Sequence, residues 1–404
     1  MTERCPSPEM ASCTDAASPR CESPTNGHAD DYFAGMVDRC IAYVDEASKQ
    51  GRPVIGIMCE YTPREIVMAI GGVPLCLCGG AQSTIASAEE ELPANLCPLI
   101  KSTYGFHLER ANPMLEQADL VVAETTCDGK KKMYELMARD REMHVLELPQ
   151  KPDDPHAREH WLAEMRKLVG VLERRFGRSI HDGDLRRAIR TMNRERRLRR
   201  ELAELMTADP PPLTGRELLD LKSIVSCIPG DGEQYRAAIE RYRQAAPRCD
   251  LKDRVRVLMT GAPTPHGAEK VVDLVEAHGG VIVCQENCTG IKPIRNDVDE
   301  EADDPLEALA DYYLHLPCSV MTPNDRRIEL LREDARRFKA GCIVDLVWQS
   351  CLTYDVESAA VRRLAEGLGL PYLKVVTDYA PSDTARIANR LEALFEMAES
   401  NKAS

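Results

Sequence analysis

The sequence contains no C-x-x-C pair, although it carries 16 cysteines in 404 residues. That absence disfavours zinc ribbons, thioredoxin-like motifs and bacterial ferredoxin runs, all of which place two cysteines at this spacing. Histidine is sparse, at nine residues, which weakens mixed Cys/His zinc sites. No G-x-x-x-x-G-K-[ST] occurs, so no P-loop nucleotide site is expected in this chain. No apolar run is long enough to span a bilayer. The first residues lack a basic segment followed by an apolar stretch, so no secretory signal is expected and the chain reads as cytoplasmic. Positive charge is outweighed: the formal net charge of −14 argues against nucleic acid as the main partner.

What remains is cysteine. In a reducing compartment a disulfide framework is disfavoured, and this much cysteine points to a soft metal site, to redox chemistry or to small buried hydrophobes.

The chain is organised around Ala118–Met137, ADLVVAETTCDGKKKMYELM. An apolar run ends at Glu124, Cys127 stands at the turn, and a helical pattern of Met133, Leu136 and Met137 follows. Ligands of open α/β sheets sit at the carboxyl ends of the strands, where this cysteine falls. The same construction returns at Cys342–Leu364, with Cys351 at the matching turn.

Residues 1–30, rich in Ser, Pro, Thr and Ala, predict a disordered tail in which Cys5, Cys13 and Cys21 are not expected to be ligands. Residues 31–152 predict an N-terminal α/β domain built on a βαβ unit, and residues 251–404 predict a second one. Both read as Rossmann/flavodoxin-like domains with parallel sheets. The strands stop over 153–250, which predicts a helical insert joining them. Eight arginines between Arg186 and Arg200 read as a solvated helix face in preference to a docking site for an acidic partner. The acidic stretch Asp297–Asp304 reads as an exposed loop. Cys76 and Cys78 share one face of a strand and read as buried packing.

Six cysteines fall in turns at strand ends or helix starts: Cys59, Cys97, Cys127, Cys288, Cys318 and Cys351. Thirty residues separate Cys97 from Cys127, and thirty-three separate Cys318 from Cys351. Six unrelated loop cysteines would give the same pattern. If they act together, they are expected to converge at one buried site between the two halves.

The segments LPANLCPLIKSTYGF, ETTCDGKKKMYELM, GAEKVVDLVEAHGG, ENCTG, TPNDRR and QSCLTYDVES resemble the 2-hydroxyacyl-CoA dehydratase/benzoyl-CoA reductase superfamily. The likeness covers nearly everything after residue 30, and it is closer to the single-subunit double-cubane cluster proteins. That resemblance implies an [8Fe-9S] cofactor: two [4Fe-4S] cubanes sharing a sulfide, held by the six cysteines named above. It also implies a separate dimeric, ATP-hydrolysing [4Fe-4S] activator, low-potential reduction of a small molecule, and a homodimer. The dehydratase branch would instead bind one [4Fe-4S] cluster through three cysteines and act on a 2-hydroxyacyl-CoA. A non-catalytic electron-storage protein is a third reading. Glu124 and Lys101 are candidate proton donors, with Asp128 and Lys130 beside them. Tyr104, His107, Gln349 and Tyr354 are candidates to hydrogen-bond cluster sulfurs.

Overall fold

A computed structural model describes residues 28–403. The expected tail, with Cys5, Cys13 and Cys21, lies outside the described residues except at its end, where a helix begins at His28. The apolar runs form strands β1 (Val54–Ile57), β2 (Val73–Cys76), β3 (Leu120–Glu124) and β4 (Met143–Leu146). They are followed by β5 (Val255–Gly261), β6 (Gly280–Glu286), β7 (Cys342–Trp348) and β8 (Tyr372–Thr377).

These strands make two four-stranded sheets, parallel throughout, in the orders β2-β1-β3-β4 and β6-β5-β7-β8. The orders are the same when each half is numbered from its own first strand. Both domains are therefore Rossmann/flavodoxin-like, as the sequence predicts. The central strands β1, β3, β5 and β7 are buried along their whole length, because helices cover both faces of each sheet. The edge strands β4 and β8 turn Val145 and Val376 outward. Strand order reverses between β1 and β3, and again between β5 and β7, and ligands of doubly wound sheets bind at such crevices.

The connecting region is helical, with long helices at Pro155–Phe176, Asp182–Glu204 and Asp231–Gln244. Trp161, Met165, Leu168 and Leu172 share a core with Ile55, Val122 and Leu146 of the first sheet. That core also takes in Leu309, Tyr313 and Leu316 from the second half of the chain. A second core holds Val121 and Ala123 of the first sheet together with Met259, Trp348 and Tyr379 of the second domain. The halves are thus joined by two shared cores as well as by the chain itself.

The arginine run is the expected solvated face only in part: Arg187, Arg190, Arg194 and Arg197 are exposed, and the other four are half-buried or buried. Arg196 is buried against Glu65, with Nη2 2.6 Å from Oε1. Arg197 and Arg200 pair with Asp297, Arg197 also reaches Glu300, and Arg186 donates to the carbonyls of Glu300 and Asp303. The acidic loop of the second half is the partner of the basic helix. Periodicity within one helix cannot show a partner a hundred residues away. Among the described residues, no helix is long and apolar enough to cross a membrane.

Candidate functional site

The six loop cysteines gather into two neighbouring groups, and each group draws on both halves of the chain. Cys97 and Cys127, from the first half, meet Cys351 from the second. Cys59, from the first half, meets Cys288 and Cys318 from the second.

Three helix starts converge on the first group. Cys97, Cys127 and Cys351 are the N-cap residues of the helices Pro98–Glu109, Asp128–Met137 and Leu352–Leu368. Unpaired backbone N–H groups lie at a helix start. Here the N–H groups of Leu99 and Ile100 point at the Cys97 sulfur, those of Gly129 and Lys130 at Cys127, and that of Tyr354 at Cys351. Cys351 also donates to Cys97, which lowers the Cys97 thiol and raises its own. Burial raises Cys127.

The second group lies in irregular loops and is compensated by side chains. Burial pushes the Cys59 thiol up to about 12 and drives Cys288 well above its ordinary range. Lys130 donates to the Met58 carbonyl at 2.9 Å and stands among Cys59, Cys78 and Cys127, so it links the two groups. Lys292 is buried beside Cys288 and Cys318, and its Nζ donates to the Tyr354 hydroxyl at 2.9 Å. The Tyr61 hydroxyl, which donates to the Leu316 carbonyl at 3.1 Å, also lies against Cys318. Buried thiols held this high ionise only when a cation compensates them, and a bound metal does so by displacing the protons.

The donor set suits a cluster. Cys59, Cys97, Cys127, Cys288, Cys318 and Cys351 are in no disulfide, and soft thiolates select iron–sulfur, Cu(I) or zinc. Among the described residues no three His, Cys, Asp or Glu stand close enough to hold one metal ion. Tetrahedral thiolates on a single ion stand only about 3.8 Å apart, from a metal–sulfur bond of about 2.3 Å.

Glu124 ends β3 as a fully buried carboxyl near Cys59. Burial raises it to about 8, against the pull of Thr62, Lys130 and Arg64. Thr62 donates to Oε1, whereas Oε2 has no partner. Lys101 lies elsewhere in its contacts: its ammonium donates to Glu89 at 2.6 Å and to the Ala94 carbonyl at 2.9 Å, bracing the loop ahead of Cys97. Tyr104 donates to Glu91, and His107 Nδ1 accepts from Arg141. Gln349 is exposed, and Asp128 is exposed and paired with Lys131. Tyr354, by contrast, accepts from Lys292 and lies near Cys288 and Cys318.

A cavity of about 820 Å³ opens onto the second group, with Cys59 and Cys288 in its wall. Cys76 and Cys78 line it too, so they are not merely strand packing. Their sulfurs touch, and Arg64 Nη2 stands 3.9 Å from Cys76. Lys292 and Tyr61 were not among the residues the sequence singled out, and Cys78 was read there as strand packing. One signal was present: Lys130 and Lys292 follow Cys127 and Cys288 by three and four residues, one turn beyond each thiol.

Comparison with known proteins agrees with this architecture. Residues 59–398 match the family model described as 2-hydroxyglutaryl-CoA dehydratase, D-component. The chain is 40% identical to the putative dehydratase subunit YjiM of Escherichia coli K12, over 88% of this chain and 94% of that protein. It is 25% identical to one of the subunits of benzoyl-CoA reductase from Thauera aromatica, over 73% and 79% of the two chains. It is 22% identical to the (R)-phenyllactyl-CoA dehydratase beta subunit of Clostridium sporogenes, over 90% and 97%. The chain therefore belongs to the 2-hydroxyglutaryl-CoA dehydratase D-component family, within the 2-hydroxyacyl-CoA dehydratase/benzoyl-CoA reductase superfamily that its segments resemble.

Proposed function

We propose that this chain is an iron–sulfur reductase carrying an [8Fe-9S] double-cubane cluster. Cys97, Cys127 and Cys351 would hold one cubane, and Cys59, Cys288 and Cys318 the other. The observation that carries this reading is the convergence of six loop cysteines as two adjoining threes. A cubane bound by three thiolates needs a further ligand at its fourth iron, and a shared sulfide supplies that position to both. When bound, the cluster would supply low-potential electrons.

The chain's own residues have separable tasks. Three helix N-termini offset the thiolate charge of the first group, while Lys130 and Lys292 do so for the second. Glu124 would hold a proton at neutral pH beside Cys59, which itself lines the cavity. The cavity admits a small molecule to the second group only, so substrate and electrons would use opposite ends of the site. Leu352 and Val356 lie exposed just beyond Cys351. A separate dimeric, ATP-hydrolysing [4Fe-4S] activator would deliver electrons over that surface. A homodimer in the cytoplasm completes the reading.

A dehydratase component with one [4Fe-4S] cluster is the second reading, favoured by the names of the dehydratase relatives. Anaerobic reconstitution separates the two. The double cubane predicts about eight irons per chain, and Cys127→Ala or Cys288→Ala should each disturb the whole EPR spectrum. About four irons, untouched by Cys288→Ala, Cys318→Ala and Cys59→Ala, would overturn the first reading in favour of the second.

A further inference from the structure

The cavity wall beside Cys288 is charged in an unbalanced way. Its carboxylates are each engaged: Glu60 pairs with Arg64 at 2.8 Å and Asp220 with Arg216 at 2.9 Å. Glu217 pairs with Arg248 at 3.2 Å, and Glu269 accepts from the Gly267 N–H at 2.9 Å. Glu195 accepts from the Cys227 N–H at 2.7 Å. Besides Lys130, which stands among the cysteines, two cations of the wall are left over. The Lys222 ammonium has one hydrogen bond, to the Thr289 carbonyl at 3.1 Å, and no carboxylate within ion-pair distance. Arg199 has only Glu195, at 3.9 Å. Burial, and then the nearby Arg199 guanidinium, hold Lys222 down at about 8, against the pull of Cys76, Glu60 and Glu269.

A second observation at the same place points to a ligand. Thr264 is 1% exposed and lines the cavity, yet its Oγ1 has no hydrogen-bond partner. A buried hydroxyl without a partner carries a desolvation cost of about 1–3 kcal/mol, which a ligand acceptor would relieve. The three groups belong to one local structure. The Thr264 N–H donates to Thr289 Oγ1 at 3.1 Å, Thr289 also donates to Asn287, and Lys222 holds the Thr289 carbonyl. Thr289 directly follows Cys288.

We propose that Lys222, Arg199 and Thr264 form an oxyanion subsite that holds a carboxylate or phosphate of the substrate beside Cys288. Two cations and a hydroxyl donor match the acceptor-only oxygens of such a group. A cavity of about 820 Å³ leaves room for the rest of a small organic molecule. The substrate of this site is then an organic acid or a phosphorylated carrier thioester. The assignment rests on reading the cavity as the substrate site of the proposed reductase.

The test uses the full-length, anaerobically reconstituted protein with lactate, inorganic phosphate and coenzyme A as probes. Trace acetylation with acetic anhydride, read by mass spectrometry, should show Lys222 protected by at least one probe. Protection by lactate alone assigns a carboxylate, and protection by coenzyme A with phosphate assigns the carrier. Calorimetric affinity for the protecting probe should fall at least tenfold in Lys222→Met and Arg199→Met, and several-fold in Thr264→Val. Lys222→Arg should keep most of it. Absence of protection by all three probes, or affinities unchanged in both charge-removing variants, overturns the subsite. Iron content and EPR of the same preparations report the cluster reading separately, so loss of one with the other intact tells the two failures apart.

Discussion

Lys222 is costly to the fold. Its folded value of about 8 lies below that of a free lysine, chiefly through burial and then through Arg199. A depressed lysine destabilises most when it is charged, so the cost is present in full below about pH 8. It disappears above the ordinary lysine range. Lys222→Met is therefore expected to stabilise the protein at pH 6.5, by about 1–3 kcal/mol after allowance for the side chain's partial exposure. The gain should shrink at pH 9.5, and denaturant titration at the two values checks it. A destabilised variant at pH 6.5 would mean that the ammonium has a partner in the fold. Oxyanion affinity should weaken as pH rises past about 8. Cys76 also ionises early in this region, through its hydrogen bond with Cys78 and then through Arg64. That change removes positive potential in the same direction, while Glu269, held below the ordinary carboxylate range, stays ionised throughout.

At the scale of elements, the site depends on where the Pro98–Glu109 helix comes to rest. Cys97 caps it, and Pro98 suits its first turn, where no backbone N–H is needed. Further along, Gly105 lets the helix press against the short turn at Gln82–Thr84: a Cβ there would come within 1.8 Å of the Thr84 carbonyl oxygen. Backbone cannot yield as a side-chain tip can, so Gly105→Ala should push the helix outward. The expected cost is about 1–3 kcal/mol, read by chemical denaturation, together with a lower iron content because Cys97 is carried away from Cys127 and Cys351. Stability and iron content both unchanged would show that the helix position is not set by this contact. The same residues that make the helix recognisable in sequence, proline at its start and apolar positions along it, say nothing of this approach.

The whole molecule is held by charge as well as by apolar cores. Arg196 from the connecting helices, Glu65 from the first domain and Tyr313 from the second meet in one buried cluster. Tyr313 donates to Glu65 at 2.7 Å, and Arg196 Nη2 lies 3.3 Å from the Tyr313 hydroxyl. Arg196→Met would leave the carboxyl of Glu65, which is 0% exposed, without its cation. Breaking a buried pair on one side costs about 3–5 kcal/mol. A drop of that size in unfolding free energy is expected, and it should be smaller in Glu65→Gln/Arg196→Met, where no carboxylate is stranded. Equal losses in the single and double variants would show that packing, and not charge, ties the three parts together.

Local chemistry was enough to make most of the scaffold legible. Short β-rich runs ending in turns, Gly-Gly breaks and helical spacing gave two parallel α/β domains and a helical connection. They also put Cys97, Cys127 and Cys351 at the helix starts where the structure has them. These features depend on neighbours within a few residues, so the order of the chain contains them. What pairs with what across the chain was decided only by tertiary packing. The arginine run found its acidic partner in the loop at Asp297, and Cys59 was gathered with Cys288 and Cys318 instead of with the cysteines of its own half. The unbalanced cations of the cavity wall likewise became visible only in space. Burial and Coulomb energies depend on distance through the fold, and a sequence records only distance along the chain.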